Sequence, residues 1–510
     1  MSTTSREIEK KFSVHGLFVL PDLIDEDAGI ASVEKRPSLS LRATYVDTPS
    51  LRLAREGITL RHRSGEGTPR WTLKLPAKGK RSGGLSRDEI SEPGPVGQLP
   101  EELRELLLGV LRGDHVAAVA VLQTQRETLL LHDSAGNVLG EVVDDTVSLL
   151  EGRRVVSRFR EIEVEQGDAD DAAAACRAVG TRLLTAGAVA GEQLPKVVRA
   201  LGPQAQQPSD LPAPPDVNAA SPAADLVRWS LRTGLARLVA ADVGVRRVEH
   251  DAVHQMRVAC RRLRSDLRTF ADLLADPRGE TLREELAWLA GSLGEARDLE
   301  VLQARVVRTA ARDPLAPLND KGLATIDRLL TEQETVALAT AKAALGTERY
   351  VALLQLLVAT ATDPVVTELA EQRCRDVLPG LVGAAWRHLA KRAAKLHIGD
   401  ADDDWHRARI LAKRARYAAE VAAEALGKPA RATAVAATQV QEVLGEHQDA
   451  AIAADRMLEL PALVPRDGAL AITCGRLAER ERASVRAARE AFPAVWRDVK
   501  GGRTTKWFDG

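Results

Sequence analysis

VHQMRVACRRLRSDLRTF, residues Val253–Phe270, carries a regular row of cationic side chains. Spacings of three and four residues place this row along one face of an α-helix. The members of the row are His254, Arg257, Arg261, Arg264 and Arg268. Apolar residues from Met256 onward recur beside the row, so the same helix should also pack against a core. Because like charges at these spacings repel one another, we expect an anion opposite the cationic face.

The same pattern returns in WHRARILAKRARYAAE, residues Trp405–Glu420. The second row consists of His406, Arg409, Lys413 and Arg416, and Arg261 and Arg262 correspond to Lys413 and Arg414. Another phrase also repeats, as LGEARDLEVL from Leu293 and as LGEHQDAAIA from Leu444. These repeats predict an internal duplication, with two helical halves packed about a pseudo-twofold axis and both rows facing one groove. The alternative is a solvated helix face with many salt bridges.

Composition indicates a protein of several domains. The chain has 510 residues, of which 45% are hydrophobic and 3% aromatic, so roughly two to four domains with helix-rich cores are expected. The four cysteines are far apart and form no metal-binding pattern, which predicts a reduced intracellular protein without structural zinc. The first residues contain no apolar signal segment, and no stretch reaches the length of a membrane span. We therefore expect no membrane partner.

Residues 202–224, GPQAQQPSDLPAPPDVNAASPAA, are rich in proline, alanine and glutamine. This composition predicts a semi-extended linker between a first domain, 1–201, and a second domain, 225–510. Beyond the linker, long segments rich in alanine, leucine, arginine and glutamate are interrupted by DPRG, RDPLAP and GKPA. They predict an all-α bundle made of the two related halves.

The first domain contains many short segments in which charged and apolar residues alternate. REIEKKFSV, from Arg6, places Glu7, Glu9 and Lys11 on one face of a strand. The alternation recurs in ITLRHR, WTLKL, LSRDEI, TQRETLLL, GEVVDDTVSL and FREIEVE, each bounded by turn residues. These segments predict an antiparallel β-barrel with helices near 100–111 and 169–186 and with charged residues inside. The fold class is therefore α+β.

Carboxylates and cations in one lumen suit a metal-chelated phosphate chain. Clustered carboxylates repel one another unless they hold a hard cation such as Mg²⁺ or Mn²⁺. Arginine pairs with phosphate oxygens in a bidentate manner, and lysine acts as a point charge. A bound metal can activate water for in-line attack on phosphorus while the cations stabilise the transferring group. The pattern therefore favours a phosphohydrolase.

The Glu7-x-Glu9-x-Lys11 motif resembles the ExExK signature of the CYTH superfamily, the triphosphate tunnel metalloenzymes. Also similar to this family are YVDTPSLRLAREGITLRHR from Tyr45, WTLKLP from Trp71, SRDEI, and EIEVE with the later LPKVVRA. The resemblance covers residues from about 5 to about 200. It implies an eight-stranded antiparallel tunnel that binds metal at its glutamate-rich strands.

The same resemblance implies roles for individual residues. Catalysis would depend on Glu7, Glu9 and Lys11. Metal ligands would come from Glu7, Glu9, Asp144, Asp145, Glu161 and Glu163, with the choice between the two aspartates and the part played by Glu165 left open. Triphosphate would be bound by Lys11, Arg61, Arg63, Lys74, Arg87, Arg126 and Lys196. The alternatives are an outer salt bridge between Arg87 and Glu89 and an ordinary surface position for Arg126.

AVHQMRVACRRLRSDLRTF, from Ala252, closely resembles the leading motif of the CHAD domain, and the likeness extends from about residue 222 to about residue 500. This resemblance implies binding of inorganic polyphosphate along a basic inner surface, and a CYTH domain before a CHAD domain is a recurrent arrangement. The expected contacts are His254, Arg257, Arg261, Arg262, Arg264, His406, Arg409, Lys413, Arg414 and Arg416. Asp298 and Asp449 are expected to orient basic side chains or to have ordinary structural roles, and His447 to be structural.

The favoured function is metal-dependent hydrolysis of inorganic triphosphate, or a related triphosphate, with polyphosphate bound by the helical domain. The alternatives are a non-catalytic protein that recruits polyphosphate, a nucleotide or thiamine triphosphatase, and an adenylyl cyclase. The many carboxylates favour metal binding and hence catalysis. Nucleic acid is a weaker candidate partner, because the cationic rows lack aromatic residues for base stacking. We expect a cytoplasmic protein that associates with polyphosphate granules.

Overall fold

The structure, a computed structural model, describes residues 3–76, 85–169, 171–192, 194–312 and 314–509. Side chains are not described for residues 3–7, 85–86, 502–503 and 509. The chain divides into two compact units, Met1–Asp210 and Leu211–Gly510.

The first unit is built on one antiparallel sheet. Its described strands are β1 (Thr3–Val14), β2 (Ser32–Lys35), β3 (Leu39–Asp47), β4 (Thr59–Ser64), β5 (Arg70–Pro76), β6 (Leu85–Pro93), β7 (Ala117–His132), β8 (Val138–Glu151), β9 (Arg154–Gln166) and β10 (Val189–Ala190). Their order is β10-β1-β6-β5-β4-β3-β7-β8-β9, and a further pairing of β1 with β9 closes the sheet into a ring. The predicted count of eight strands is not confirmed: the sheet has ten, including the short β2 beside β7 and β10 beside β1.

Helices lie outside this ring. The first unit contains α1 (Arg52–Arg55), α2 (Glu101–Leu111), α3 (Ala172–Thr185) and α4 (Lys196–Leu201). Val179 and Leu183 of α3 pack with Phe12 of β1 and Ile162 of β9 in a fully apolar cluster. Because side chains alternate across a strand, apolar packing on the outer face leaves the neighbouring charged residues to face the interior.

The second unit is helical throughout. It contains α5 (Ala223–Arg246), α6 (Ala252–Thr269), α7 (Arg278–Ser292), α8 (Gly294–Ala310), α9 (Asp320–Leu345), α10 (Glu348–Thr362), α11 (Cys374–Ala393), α12 (Asp402–Leu426), α13 (Lys428–Glu459), α14 (Gly468–Val499) and α15 (Gly502–Thr505). One continuous apolar core joins these helices. At Gly234 an added Cβ would lie 2.3 Å from a methyl carbon of Leu263, so glycine permits the close approach of α5 to α6. None of the described helices combines the length and apolar character needed to cross a membrane.

The predicted duplication of the helical unit is not confirmed. LGEARDLEVL begins at Leu293, where α7 ends and α8 starts, whereas LGEHQDAAIA lies inside α13, which is unbroken over 32 residues. The two helices that carry the cationic rows, α6 and α12, do pack against each other. Both rows therefore reach one cavity although the helices around them differ.

The boundary between the two units falls inside the proline-rich segment, between Asp210 and Leu211. In the first unit, Asp210 accepts hydrogen bonds from Arg52 and Arg112. In the second unit, Leu211 packs against the helical core and Arg232 donates to the carbonyl oxygen of Ala213. Arginines supplied by the folded units thus satisfy polar groups of the segment, a stabilisation that composition alone does not reveal.

Candidate functional site

A cavity of about 310 Å³ lies inside the ring of strands, and we call it the tunnel cavity. All the cations predicted to bind triphosphate line it: Lys11, Arg61, Arg63, Lys74, Arg87, Arg126 and Lys196. Six of them come from strands β1, β4, β5, β6 and β7, and Lys196 is the first residue of α4. Cations that are distant in sequence thus converge on one enclosed space.

Strand register explains how carboxylates meet these cations. Lys11 lies opposite Glu163, and Glu9 opposite Glu165, in the pairing of β1 with β9. Glu9 is 2% exposed, and its Oε1 lies 2.7 Å from Nη2 of Arg87 on the neighbouring β6. An alternating charged strand placed between two others therefore brings acids and bases into direct contact.

Three carboxylates are close enough to share a metal ion. Glu9, Glu163 and Glu165 each offer an oxygen, and these oxygens lie within 4.8 Å of one another. An all-oxygen set of this kind fits a hard divalent cation such as Mg²⁺ or Mn²⁺. Lys11 neutralises the cluster in part, since its Nζ pairs with Glu163 and lies 3.3 Å from Glu9.

Electrostatic coupling in this cluster is visible in its pKa shifts. Burial opposes ionisation of Glu163, but Lys11, Lys196 and Arg126 outweigh burial and hold the pKa of Glu163 well below its usual range. Burial also disfavours the charged form of Lys196, yet Glu163, Asp145 and Glu161 raise its pKa well above the ordinary value. Glu163 and Lys196 are thus ionised partners in a network of buried side chains.

The remaining predicted metal ligands occupy different places. Asp145 is fully buried and binds Arg126 at 2.7 Å and Lys196 at 3.1 Å. Glu161 is 2% exposed and contacts Lys196 at 3.2 Å. Neither residue lines the tunnel cavity. Both form ion pairs with cations that do line it.

Asp144 is separated from the other acids, which corrects its inclusion among the metal ligands. Its neighbour Asp145 points toward Arg126, so alternation along β8 turns Asp144 to the opposite face. There it binds Arg160 at 2.6 Å, and Arg160 also donates to the carbonyl oxygen of Phe18. The side chain of Glu7 lies outside the described residues.

The structure adds Glu89 and Tyr45 to the tunnel cavity. Glu89 lies 3.0 Å from Nζ of Lys74. Burial raises its pKa, but Lys74 and Arg61 lower it more, to about 2. The Tyr45 hydroxyl accepts a hydrogen bond from Arg61 at 3.2 Å. Glu89 lies two residues after Arg87 on β6, so alternation along the strand predicts that both side chains face inward. Both line the tunnel cavity, which excludes the outer salt bridge considered for Arg87 and Glu89.

Arg61 and Arg63 form the most cationic part of the tunnel cavity. Burial, followed by the adjacent charge of Arg61, lowers the pKa of Arg63 to about 10. Arg63 also pairs with Glu66 at 2.8 Å. Two neighbouring guanidinium groups that destabilise each other are a favourable place for phosphate oxygens.

A second cavity, of about 590 Å³, lies among α6, α8, α12 and α13 of the helical unit, and we call it the groove. The predicted residues that line it are His254, Arg257, Arg261, Arg262, His406, Arg409, Lys413 and Arg416. Arg297 and Arg305 of α8, which the sequence patterns did not single out, line it as well. The groove is thus strongly cationic.

Arg264 and Arg414 lie outside the groove, contrary to prediction. Arg264 is exposed and comes after Arg262, the last cation of α6 that lines the groove. Arg414 follows Lys413 directly, and a step of one residue turns the side chain by about 100° around a helix. Arg414 therefore faces Arg268 and Arg283 instead.

Three guanidinium donors and one imidazole nitrogen of the groove have no partner among the described residues. The Nε atoms of Arg257, Arg261 and Arg409 and the Nδ1 atom of His406 are buried and make no hydrogen bond. Leaving a buried donor unsatisfied costs about 1–3 kcal/mol, so an anion that accepts these bonds would be stabilised. Groove geometry and charge therefore both favour an anionic ligand.

The two aspartates of the groove contact its arginines. Arg257 donates to Asp298 at 2.9 Å, and Arg409 donates to Asp449 at 3.1 Å. Each aspartate thus forms an ion pair with a groove arginine, which fits both the orienting role and the ordinary structural role considered for Asp298 and Asp449. His447 is 1% exposed and stacks on Trp405, with ring centroids 5.2 Å apart, which is a packing role.

Comparisons with known proteins identify two domains in this chain. The CYTH domain model matches residues 5–184, and the CHAD domain model matches residues 230–458. An uncharacterized protein of Mycobacterium tuberculosis is 32% identical over 518 residues, which cover 97% of this chain and 96% of the relative. PptA from Streptomyces chartreusis is 28% identical with a TM-score of 0.47, covering 54% of this chain and 100% of that structure. The CHAD domain from the plant Ricinus communis is 28% identical with a TM-score of 0.44, covering 55% and 95%.

Proposed function

The chain belongs to the family in which a CYTH domain is followed by a CHAD domain, and on this basis we propose that it hydrolyses inorganic triphosphate in a metal-dependent reaction and binds polyphosphate. The tunnel cavity would be the catalytic site and the groove the polyphosphate site. The observation that carries the proposal is the convergence of seven cations and a three-carboxylate cluster on one cavity of about 310 Å³.

Glu9, Glu163 and Glu165 are the residues that would hold the metal. A divalent cation bound there supplies charge neutralisation and Lewis acidity to phosphate oxygens. A divalent cation would fit this position because three carboxylate oxygens already converge there. The charge of the metal would replace the charge that Lys11 now supplies.

The cations of the tunnel cavity would bind and orient the substrate. Arg61 and Arg63 would donate to one phosphoryl group of the substrate. Lys74, as a point charge, and Arg87, in a bidentate manner, would contact another phosphoryl group. Lys74 is paired with Glu89 and Arg87 with Glu9, so substrate binding exchanges internal ion pairs for phosphate contacts. Such a preorganised cationic wall stabilises charge on the transferring phosphoryl group.

The cavity lining favours a substrate without a base. Among its described lining residues, Tyr45 is the only aromatic side chain, and its hydroxyl already binds Arg61. Nucleotide and thiamine triphosphates bring a ring that gains affinity by stacking. Inorganic triphosphate needs only charge contacts, which this cavity supplies in abundance.

Phosphate release from purified protein tests the proposal. Inorganic triphosphate, ATP and thiamine triphosphate are compared with Mg²⁺, with Mn²⁺ and with EDTA. We expect release from inorganic triphosphate that EDTA abolishes. We expect Glu163→Gln to lower kcat by about 10²-fold or more, as for loss of a principal electrostatic group.

Asp144→Asn is the matched control, because Asp144 carries the same kind of charge on a neighbouring strand but binds Arg160 outside the cavity. It should retain activity within about threefold, since it lies away from the tunnel cavity. No release from inorganic triphosphate under any metal condition would refute hydrolysis and leave a polyphosphate-binding protein.

A further inference from the structure

Lys413 is the only lysine among the described residues that line the groove. It occupies the place in the second cationic row that Arg261 occupies in the first. The other basic side chains of the groove are guanidinium groups and the imidazoles of His254 and His406, so Lys413 supplies the one amine among the described lining residues.

The surroundings of Lys413 are dominated by positive charge. The charged and titratable groups of the groove are His254, Arg257, Arg261 and Arg262 on α6, Arg297, Asp298 and Arg305 on α8, Asp449 on α13, and His406, Arg409, Arg416 and Tyr417 on α12 itself. Among the described residues, no carboxylate pairs with Nζ of Lys413, and the two groove aspartates are bound to Arg257 and Arg409.

This environment favours the uncharged amine. Burial and the charges of Arg409, Arg261 and Arg257 lower the pKa of Lys413 to about 7, against a smaller opposing effect of Asp449. In the empty groove Lys413 therefore loses its proton more readily than an ordinary lysine. Lys413 is half-buried and lines the groove, so reagents bound there can reach it.

We propose that Lys413 is an acylation site that reacts directly with small acyl phosphates bound in the groove. The inference rests on the proposed anion-binding role of the groove. The phosphate of the reagent would pair with the guanidinium groups of Arg257, Arg261 and Arg409, which line the same cavity as Lys413. The groove thus places a cationic phosphate site beside one amine whose protonation is opposed by its neighbours.

The reaction balances without a further reactant. The Nζ lone pair forms a bond to the carbonyl carbon, the bond from that carbon to the phosphate oxygen breaks, and inorganic phosphate leaves with the electron pair. The proton lost from nitrogen passes to solvent. The neutral amide that remains cannot become cationic, so acylation should weaken the binding of polyphosphate in the groove.

Acetyl phosphate is the probe, and the full-length protein is used. Initial rates of acetylation are measured at neutral pH by peptide mass spectrometry for Lys413 and for the exposed lysines Lys395 and Lys428 of the same unit. Because Lys413 lies beside the phosphate-binding guanidinium groups and its neighbours lower its pKa, we expect Lys413 to be acetylated about tenfold faster than the controls, or more. A rate at Lys413 equal to or below that of the two controls overturns the proposal.

Competition separates this inference from the proposed function. Inorganic polyphosphate should suppress acetylation at Lys413 but not at Lys395, and a lack of suppression contradicts reaction within the groove. Acetyl phosphate treatment should lower polyphosphate retention by the wild-type protein but not by Lys413→Arg, which cannot be acylated. If polyphosphate is retained while Lys413 reacts no faster than the controls, only this inference fails. Fast, saturable acetylation with no polyphosphate retention refutes the proposed polyphosphate binding and supports the acylation site.

Discussion

Replacing Arg261 by glutamine tests the contribution of one groove arginine to polyphosphate binding. Arg261 lines the groove, and its Nε is a buried donor without a partner. Burial, and then the neighbouring guanidinium groups of Arg257 and Arg409, lower its pKa despite an opposing effect of Tyr417. A bound polyanion would relieve this repulsion and accept the free hydrogen bond.

The expected loss follows from these contacts. A hydrogen bond to a charged group contributes about 1.5–3 kcal/mol, which corresponds to a rise in the Kd for polyphosphate of about 10-fold to 150-fold. Arg264→Gln removes the same formal charge from the same helix, but Arg264 is exposed and outside the groove. Its Kd should change by no more than about twofold, the effect of one remote screened charge.

The measurement is a titration of each variant with fluorescently labelled polyphosphate at one ionic strength. Urea unfolding of both variants serves as the stability control, and Arg261→Gln should not unfold earlier, since it removes a repulsive charge. Equal loss of affinity in the two variants would refute the argument, because binding would then depend on net charge and not on the groove.

Three further outcomes are expected. Glu481→Gln should lower the free energy of unfolding by about 3 kcal/mol in urea titrations, because Glu481 and its partner Arg305 are both 2% exposed. The control is Glu479→Gln, on the surface, which should change the free energy of unfolding by less than about 1 kcal/mol. Glu89 has a pKa lowered from 4.5 to about 2. Its contribution to stability is therefore present above pH 4.5 and is lost as the pH falls toward 2. The Tm of Glu89→Gln should depend less on pH across this range than the Tm of the wild-type protein. Bound phosphate should raise the pKa of Lys413 from about 7, so polyphosphate affinity should fall as pH rises above 7, and titrations at several pH values should show that Lys413→Arg loses this dependence.

Much of the tunnel cavity could be predicted because strands alternate. Once Glu9 and Lys11 are assigned to the inner face of β1, each later strand needs only one inward residue to define its own inner face. The limit was register. Asp144 and Asp145 are adjacent, and only the pairing of β7 with β8, which places Asp145 opposite Arg126, shows which of them faces the cations.

In the helical unit, the sequence predicted the two cationic rows but not how far the groove follows them. The spacing of Arg257 and Arg261 follows from helix geometry, whereas the end of the groove at Arg262 depends on where neighbouring helices pass. The contribution of Arg305 was also hidden. Its charge is balanced by Glu446 and Glu481, and Glu481 lies 176 residues away along the chain, a separation that no local pattern spans.

The pairing of β1 with β9 has a consequence for how the protein acquires its fold during synthesis. The edge of Thr3–Val14 that will meet Arg154–Gln166 stays without its partner until the ribosome has made about 150 further residues. Contacts of such long sequence separation slow folding, and an open strand edge invites pairing with other chains. We therefore expect nascent chains truncated before Arg154 to aggregate, and chaperone binding to concentrate on that interval of translation.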